Sequence, residues 1–215
     1  MKAEDWLEKW RIQQIGFHQD AVHTDLVREA PTFLDGGPHR ILVPLCGKTL
    51  DLDWLVRQGH EVVGIELSSI AAQAVFTESG RSFEIRHQDG LEIYEGHGLT
   101  VVCGDLFRVE PAHVGQPDRV WDRAAMVALS PETRSAYAAK IRELAAPGQV
   151  LMNAFAYDQR LRDGPPWSLP EDQVRAHYDN VEILHQEDQV DSIRQAWRDL
   201  GITSWITTTY LITLE

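Results

Sequence analysis

Cysteine is scarce in this chain: Cys46 and Cys103 are the only two in 215 residues. That excludes a disulfide scaffold and suits a reducing compartment. Long apolar runs are missing too. The clearest, Ile41–Cys46, is far short of the roughly 20 residues that cross a bilayer. The opening Met1–Trp6 has no apolar signal core, so the expectation is a cytoplasmic chain. Basic residues are the minority, 20 against 33 acidic, for a net charge of −13. Such a surface repels a phosphate backbone, so neither nucleic acid nor membrane is an expected partner. There is no G-x-S-x-G elbow, no H-E-x-x-H, no C-x-x-C and no phosphate-binding Walker loop. The nine histidines are scattered without ligand spacing, so no metal is expected.

What is present is an ordinary globular balance, 43% apolar and 25% charged, long enough for one well-cored domain over residues 1–215. Within it, residues 1–38 read as a helical lid region. Trp6, Leu7 and Trp10 fall at helical spacing, predicting an amphipathic helix from Glu4 to about Phe17. Pro31 and Gly36-Gly37-Pro38 are read as breaks. Residues 39–215 then alternate. Short apolar runs at 40–45, 60–66, 99–103, 119–121 and 149–155 read as strands, separated by helical segments such as 131–145. Two further β-rich stretches, 181–184 and 205–212, lie near the end. Strands separated by helices imply parallel βαβ units and a doubly wound α/β sheet. Such a sheet takes its ligand beyond the carboxyl ends of its strands.

Four of those strand ends carry usable chemistry. Gly47 follows the first strand, and Glu66 ends the second. A tight turn followed by an acid is how nucleoside-binding sheets hold a ribose, because a carboxylate only accepts hydrogen bonds. The same Glu66 read as a solvent-facing strand end is equally consistent with the spacing. The G-x-G-x-x-G fingerprint is absent, and Pro44 removes a backbone donor, so a pyrophosphate would be poorly held. Asp105-Leu106 could flank an adenine ring, or Asp105 could cap a turn. Arg123 could grip an anionic ligand, or be fixed by Asp122 or Asp118. Cys46 lies in the first turn, where a small buried role is favoured over a nucleophilic one. A nicotinamide-dependent oxidoreductase and a non-catalytic nucleoside-binding protein are the competing readings of this crevice.

Several motifs together are more specific. Val43–Asp51 (VPLCGKTLD), Gln58–Ser68, Val120–Leu129 (VWDRAAMVAL) and Gly164-Pro165-Pro166-Trp167 resemble the thiopurine S-methyltransferase family, in its bacterial form, from Trp6 to Leu211. The resemblance implies a Rossmann-like, S-adenosyl-L-methionine-dependent methyltransferase of class I, with a seven-stranded, mostly parallel sheet whose last strand is antiparallel. It implies cofactor contacts at Trp10, Leu45, Gly47, Glu66, Asp105, Leu106 and Arg123. Substrate contacts fall at Phe17, at Arg123, and at a C-terminal arginine, Arg194 or Arg198. The implied acceptor is the sulfur of a thiopurine or aromatic thiol, with selenium and tellurium species among those associated with bacterial relatives, and the family precedent is a monomer. No catalytic acid or base is assigned.

Overall fold

Apolar runs and amphipathic segments resolve into a sheet layered between helices in the computed structural model, which describes residues 2–215. Two helices come first, α1 (Ala3–Arg11) and α2 (Thr24–Phe33). The alternating part follows as β1 (Arg40–Pro44), α3 (Asp51–Arg57), β2 (Glu61–Glu66), α4 (Ser69–Ser79), β3 (Glu84–Gln88), β4 (Leu91–Gly96) and β5 (Leu99–Cys103). It continues through α5 (Pro111–Val114), β6 (Arg119–Arg123), α6 (Ala125–Ala128), α7 (Arg134–Ala145), β7 (Gly148–Ala156), α8 (Glu171–His177), β8 (Asn180–Asp188), α9 (Gln195–Arg198) and β9 (Ile206–Leu214).

Among the described residues the strands form one sheet in the order β3-β4-β5-β2-β1-β6-β7-β9-β8. Five of them, β5-β2-β1-β6-β7, are parallel, and β9 runs antiparallel to β7. This is the Rossmann-like arrangement that the alternation predicts, with the chain reversing its direction across the sheet between β1 and β6. That reversal opens the crevice in which such sheets bind ligands.

The strand count differs from expectation: nine strands rather than seven. The additional pair is the β3–β4 hairpin, added antiparallel to β5. Its turn is Asp89-Gly90, both left-handed with φ of 54° and 79°, the two-residue geometry that matches the twist of a hairpin. The β3 side chains lie largely in solvent, so no apolar alternation marks that strand in the sequence.

Three helical readings also differ. The first helix ends at Arg11, short of Phe17, because Gln13 turns left-handed at φ 57°. Pro31 lies inside α2 instead of breaking the chain. Proline there forfeits one helical hydrogen bond, toward Val27. The full burial of Leu26 and Phe33 on either side offsets that cost. The segment 131–145 begins as a 3-10 turn at Pro131–Thr133 before α7.

The core lies in two layers. One face of the sheet packs under α5, α6, α7 and α8, through Leu42, Ile65, Val102, Met126, Tyr137 and Ile141. The other packs under α2, α3 and α4, through Leu26, Phe33, Val43, Leu55, Phe76 and Trp121. Burial on both faces explains why the parallel strands read as continuous apolar runs instead of alternating ones. A satellite cluster of Tyr157, Ile202 and Trp205 sits beyond the end of β7.

Candidate functional site

The first strand end is built from backbone geometry. Leu45 and Gly47 are left-handed, with φ of 48° and 54°, which turns the chain sharply after Pro44. The Gly47 N–H then points inward and donates to Glu66 Oε2 at 2.8 Å, while the Ser68 N–H donates to Oε1 at 2.8 Å. Glu66 is only 6% exposed, which excludes the solvent-facing alternative. Burial pushes its carboxyl above the usual range, and the backbone N–H bonds oppose that shift.

Above this turn lies the N-terminal region. Trp10 is 4% exposed, and its ring lies 3.3 Å from the point where a side chain on Gly47 would begin. Glycine is needed there twice over, for its φ and for the space the indole occupies. Phe17 meets Trp10 and Trp6 edge-on, with centroids at 5.6 and 5.4 Å.

At the end of β5, Asp105 is exposed, and its carboxylate accepts from the Phe107 N–H at 3.0 Å. It caps the short turn that follows. Leu106 is 2% exposed and belongs to the core. The apolar surface at this strand end comes instead from Phe107, 40% exposed.

At the end of β6, Asp122 and Arg123 divide their work. Asp122 Oδ1 accepts from the Ala125 and Met126 N–H groups at 2.9 and 3.3 Å, and Oδ2 accepts from the Tyr137 hydroxyl at 2.8 Å. Burial pushes its carboxyl up to about 6, against those three donors. These bonds pin the turn at Ala124, which is left-handed at φ 55°. Asp122 is therefore spent on the turn, and Asp118 is spent on His39, Arg40 and Arg119. Neither holds Arg123. Among the described residues no side chain forms an ion pair with the Arg123 guanidinium. Burial pulls its pKa down and the Asp51 carboxylate opposes that.

A polar network beside Arg123 is absent from the sequence reading. Asp51 Oδ2 accepts from Trp121 Nε1 at 2.8 Å, and Oδ1 from the His23 N–H at 2.8 Å. Asp25 accepts from Asn153 Nδ2 at 2.6 Å and from the Thr209 hydroxyl at 2.9 Å, and pairs with Arg28 at 2.9 Å. Asp51 sits four residues past Gly47 and reads as an ordinary first-turn acid of a helix. Nothing local signals that it is buried against a tryptophan 70 residues further along the chain.

The C-terminal arginines separate cleanly. Arg194 Nη2 donates to the Gly16 carbonyl at 2.6 Å, beside Phe17. Arg198 is spent locally on the Asp191 carbonyl and Gln195. Cys46 is buried, and burial pushes its thiol well up, which removes it as a nucleophile. No cluster of His, Cys, Asp or Glu able to hold a metal occurs among the described residues. No described helix is long and apolar enough to cross a membrane. A separate cleft of about 380 Å³ beyond β7, lined by Tyr157, Leu161, Ser168 and Ile202 among others, contains none of the expected site residues.

The family model for Thiopurine S-methyltransferase matches residues 1–214. The chain belongs to the thiopurine S-methyltransferase family. A thiopurine S-methyltransferase of Bordetella petrii is 37% identical over 213 residues, covering 98% of this chain and 97% of the relative. Among solved structures, the Burkholderia thailandensis 1,6-didemethyltoxoflavin-N1-methyltransferase with bound S-adenosylhomocysteine matches at a TM-score of 0.64 and 16% identity. It covers 98% of this chain and 87% of that one. An S-adenosylmethionine-dependent methyltransferase of Anabaena variabilis gives a TM-score of 0.64 at 12% identity, covering 99% and 95%. These structural likenesses carry the class I methyltransferase fold.

Family membership makes the chain an S-adenosylmethionine-dependent methyltransferase, and the first strand end fits that donor. Each Glu66 oxygen has taken one backbone N–H. A carboxylate offers about four acceptor sites, so two remain for ribose hydroxyls. The same geometry argues against a dinucleotide. The Gly47 N–H, which would face a pyrophosphate, is already given to Glu66.

Proposed function

We infer that this enzyme methylates the sulfur of a thiopurine or comparable aromatic thiol, taken as its thiolate. The observation that carries the reading is Arg123. It is a half-buried guanidinium at the carboxyl end of β6 with no carboxylate paired to it among the described residues. An uncompensated cation in such a place is costly unless an anionic ligand completes it.

The chain's other residues take supporting roles in this reading. Glu66 accepts from the ribose of the donor, with Leu45, Gly47 and Asp105 around the nucleoside and Phe107 offering the apolar surface that buried Leu106 does not. Trp10 and Phe17 close over the crevice and exclude water, Trp10 on the donor side and Phe17 on the acceptor side. Arg123 stands between donor and acceptor and favours the ionised acceptor, and Arg194 stands on the acceptor side next to Phe17. When bound, S-adenosylmethionine supplies a methyl group already activated by its sulfonium charge. The protein then has mainly to orient the two partners and keep the site dry. A thiol of ordinary pKa near 8.5 is partly ionised at neutral pH, and an aromatic thiol more so. No strong general base is required, in keeping with a crevice in which every buried carboxylate is already engaged. The same cation suits a small selenium or tellurium anion, whose soft lone pairs would meet the methyl group as sulfur does. The −13 net charge supports a free monomer away from nucleic acid, and two cysteines in 215 residues suit a reducing cytoplasm.

Calorimetric titration with S-adenosylhomocysteine, followed in the same cell by 6-mercaptopurine, tests this reading, together with transfer of a labelled methyl group to the thiol. Micromolar binding of both ligands and transfer to sulfur are expected. Binding of S-adenosylhomocysteine with no binding or methylation of any aromatic thiol would sink the acceptor assignment.

A further inference from the structure

The segment between α1 and α2 carries Phe17, whose ring meets Trp6 and Trp10 edge-on. The backbone just before that ring is held from 178 residues away. Arg194, at the N-terminal end of α9, donates from Nη2 to the Gly16 carbonyl at 2.6 Å. The guanidinium is pressed onto Gly16 itself: a methyl there would stand 2.9 Å from Nη2 and 3.6 Å from Nη1.

Arg194 is in turn placed by a stack. Its Cζ lies 5.5 Å from the Trp197 ring, and Arg162 lies 4.4 Å from that same ring. Arg162 is fixed by donating to the Pro165 and Pro166 carbonyls at 2.7 and 3.2 Å. Trp197 stacks on Trp205 at 5.1 Å, and Trp205 on Tyr157 at 4.6 Å. The stack therefore runs from the ends of β7 and β9 up to the Gly16 carbonyl. No carboxylate pairs with Arg194 among the described residues, so its one fixed polar contact is this backbone oxygen.

We propose that Arg194 is a positioning residue for the acceptor. It clamps the Gly16–Phe17 peptide against the α9 stack, and so sets where the Phe17 ring closes, without itself touching the acceptor. This rests on the reading of Phe17 as an acceptor contact. It differs in role from Arg123, whose guanidinium is left open for an anion.

The test compares wild type, Arg194→Ala, Arg194→Lys and Gly16→Ala, with Arg160→Ala on the open surface as control. Hydrogen exchange is followed in the S-adenosylhomocysteine complex, and KM and kcat are measured with 6-mercaptopurine. One hydrogen bond is worth roughly 1 kcal/mol net, or about fivefold. Arg194→Ala should therefore speed exchange over residues 14–18 about fivefold and leave the sheet protected. It should raise the acceptor KM about fivefold with kcat within about twofold. Gly16→Ala pushes on the same contact from the other side and should reproduce both effects, while Arg194→Lys keeps a donor and should restore most of the protection. Unchanged exchange over 14–18 in Arg194→Ala overturns the proposal. So does a raised KM in Arg194→Ala with none in Gly16→Ala, since Arg194 would then be touching the acceptor directly. If wild type does not turn over 6-mercaptopurine, the acceptor reading fails on its own, and the exchange measurements still decide the clamp.

Discussion

Glu66 and Arg123 stand at two strand ends facing one crevice, both charges drawn largely out of water, and they are handled in opposite ways. Glu66 is held by two backbone N–H groups whose positions are dictated by the left-handed turn at Gly47 and the start of α4. Arg123 has no such partner; the bonds of its neighbour Asp122 fix only the backbone that carries it. Under the proposed function, the contrast follows from what each side would bind. A donor that never varies can be met by groups frozen into the backbone, whereas a soft anionic acceptor is met by a cation kept uncommitted until the ligand arrives.

Breaking the committed side should cost the most. Glu66→Ala removes the proposed ribose acceptor and leaves the Gly47 and Ser68 N–H groups buried without a partner. Hydrogen bonds to a charged group are worth about 1.5–3 kcal/mol each, so S-adenosylhomocysteine affinity should fall on the order of 100-fold by calorimetry. An affinity within a few-fold of wild type would mean that the donor is held elsewhere.

Breaking the uncommitted side should be selective. Arg123→Ala should raise the acceptor KM by roughly tenfold, the worth of one charge-assisted contact, and change S-adenosylhomocysteine affinity by less than about threefold. Arg123→Lys should recover only part of the loss, because the ammonium keeps the charge and loses the planar fork. Equal losses in donor and acceptor binding would erase the distinction drawn between the two strand ends.

Asp122 sharpens the comparison, since it is a buried carboxylate like Glu66 that serves only the turn. Its folded pKa of about 6 lies above an unfolded value near 3.9. The folded state therefore binds the extra proton between those values, and this group's contribution to stability is lost as pH rises from about 4 through 6. Asp122→Asn can keep Oδ1 as acceptor and give an N–H to Tyr137 in place of taking one. Urea unfolding should find the variant little changed at pH 4 and more stable than wild type at pH 7.5, by on the order of 2 kcal/mol. A difference between wild type and variant that does not change with pH would refute the assignment.

The smallest effect is expected at the thiols, where the sequence places a cysteine in the donor turn without a role. Burial pushes Cys46 well up and Cys103 up to about 12, so neither is a thiolate at neutral pH. A chromogenic disulfide reagent at pH 8 should label neither cysteine in the native protein and both after unfolding. Cys46→Ala should retain activity within about threefold. Rapid native labelling of Cys46 would show that the donor side of the crevice opens more readily than its packing implies.

The sequence by itself determined the parallel core and the places where chemistry could sit. Strands buried on both faces must be apolar throughout, and a doubly wound sheet puts its ligand at their carboxyl ends. Gly47, Glu66 and Arg123 were visible for that reason, and the VPLCGKTLD and VWDRAAMVAL stretches narrowed the fold to one family. The β3–β4 hairpin was not legible, because its outer strand faces solvent and carries no alternation. Pro31 pointed the wrong way, since local propensity was outweighed by the burial of Leu26 and Phe33. Tertiary structure alone decided which charges are satisfied. That Glu66 turns inward, that Asp118 and Asp122 are engaged elsewhere, and that Arg194 rather than Arg198 reaches the Gly16 carbonyl are all pairings between distant segments. Local pattern follows from a few neighbouring residues, but the partner of a buried polar group is fixed only once packing has brought the whole chain together.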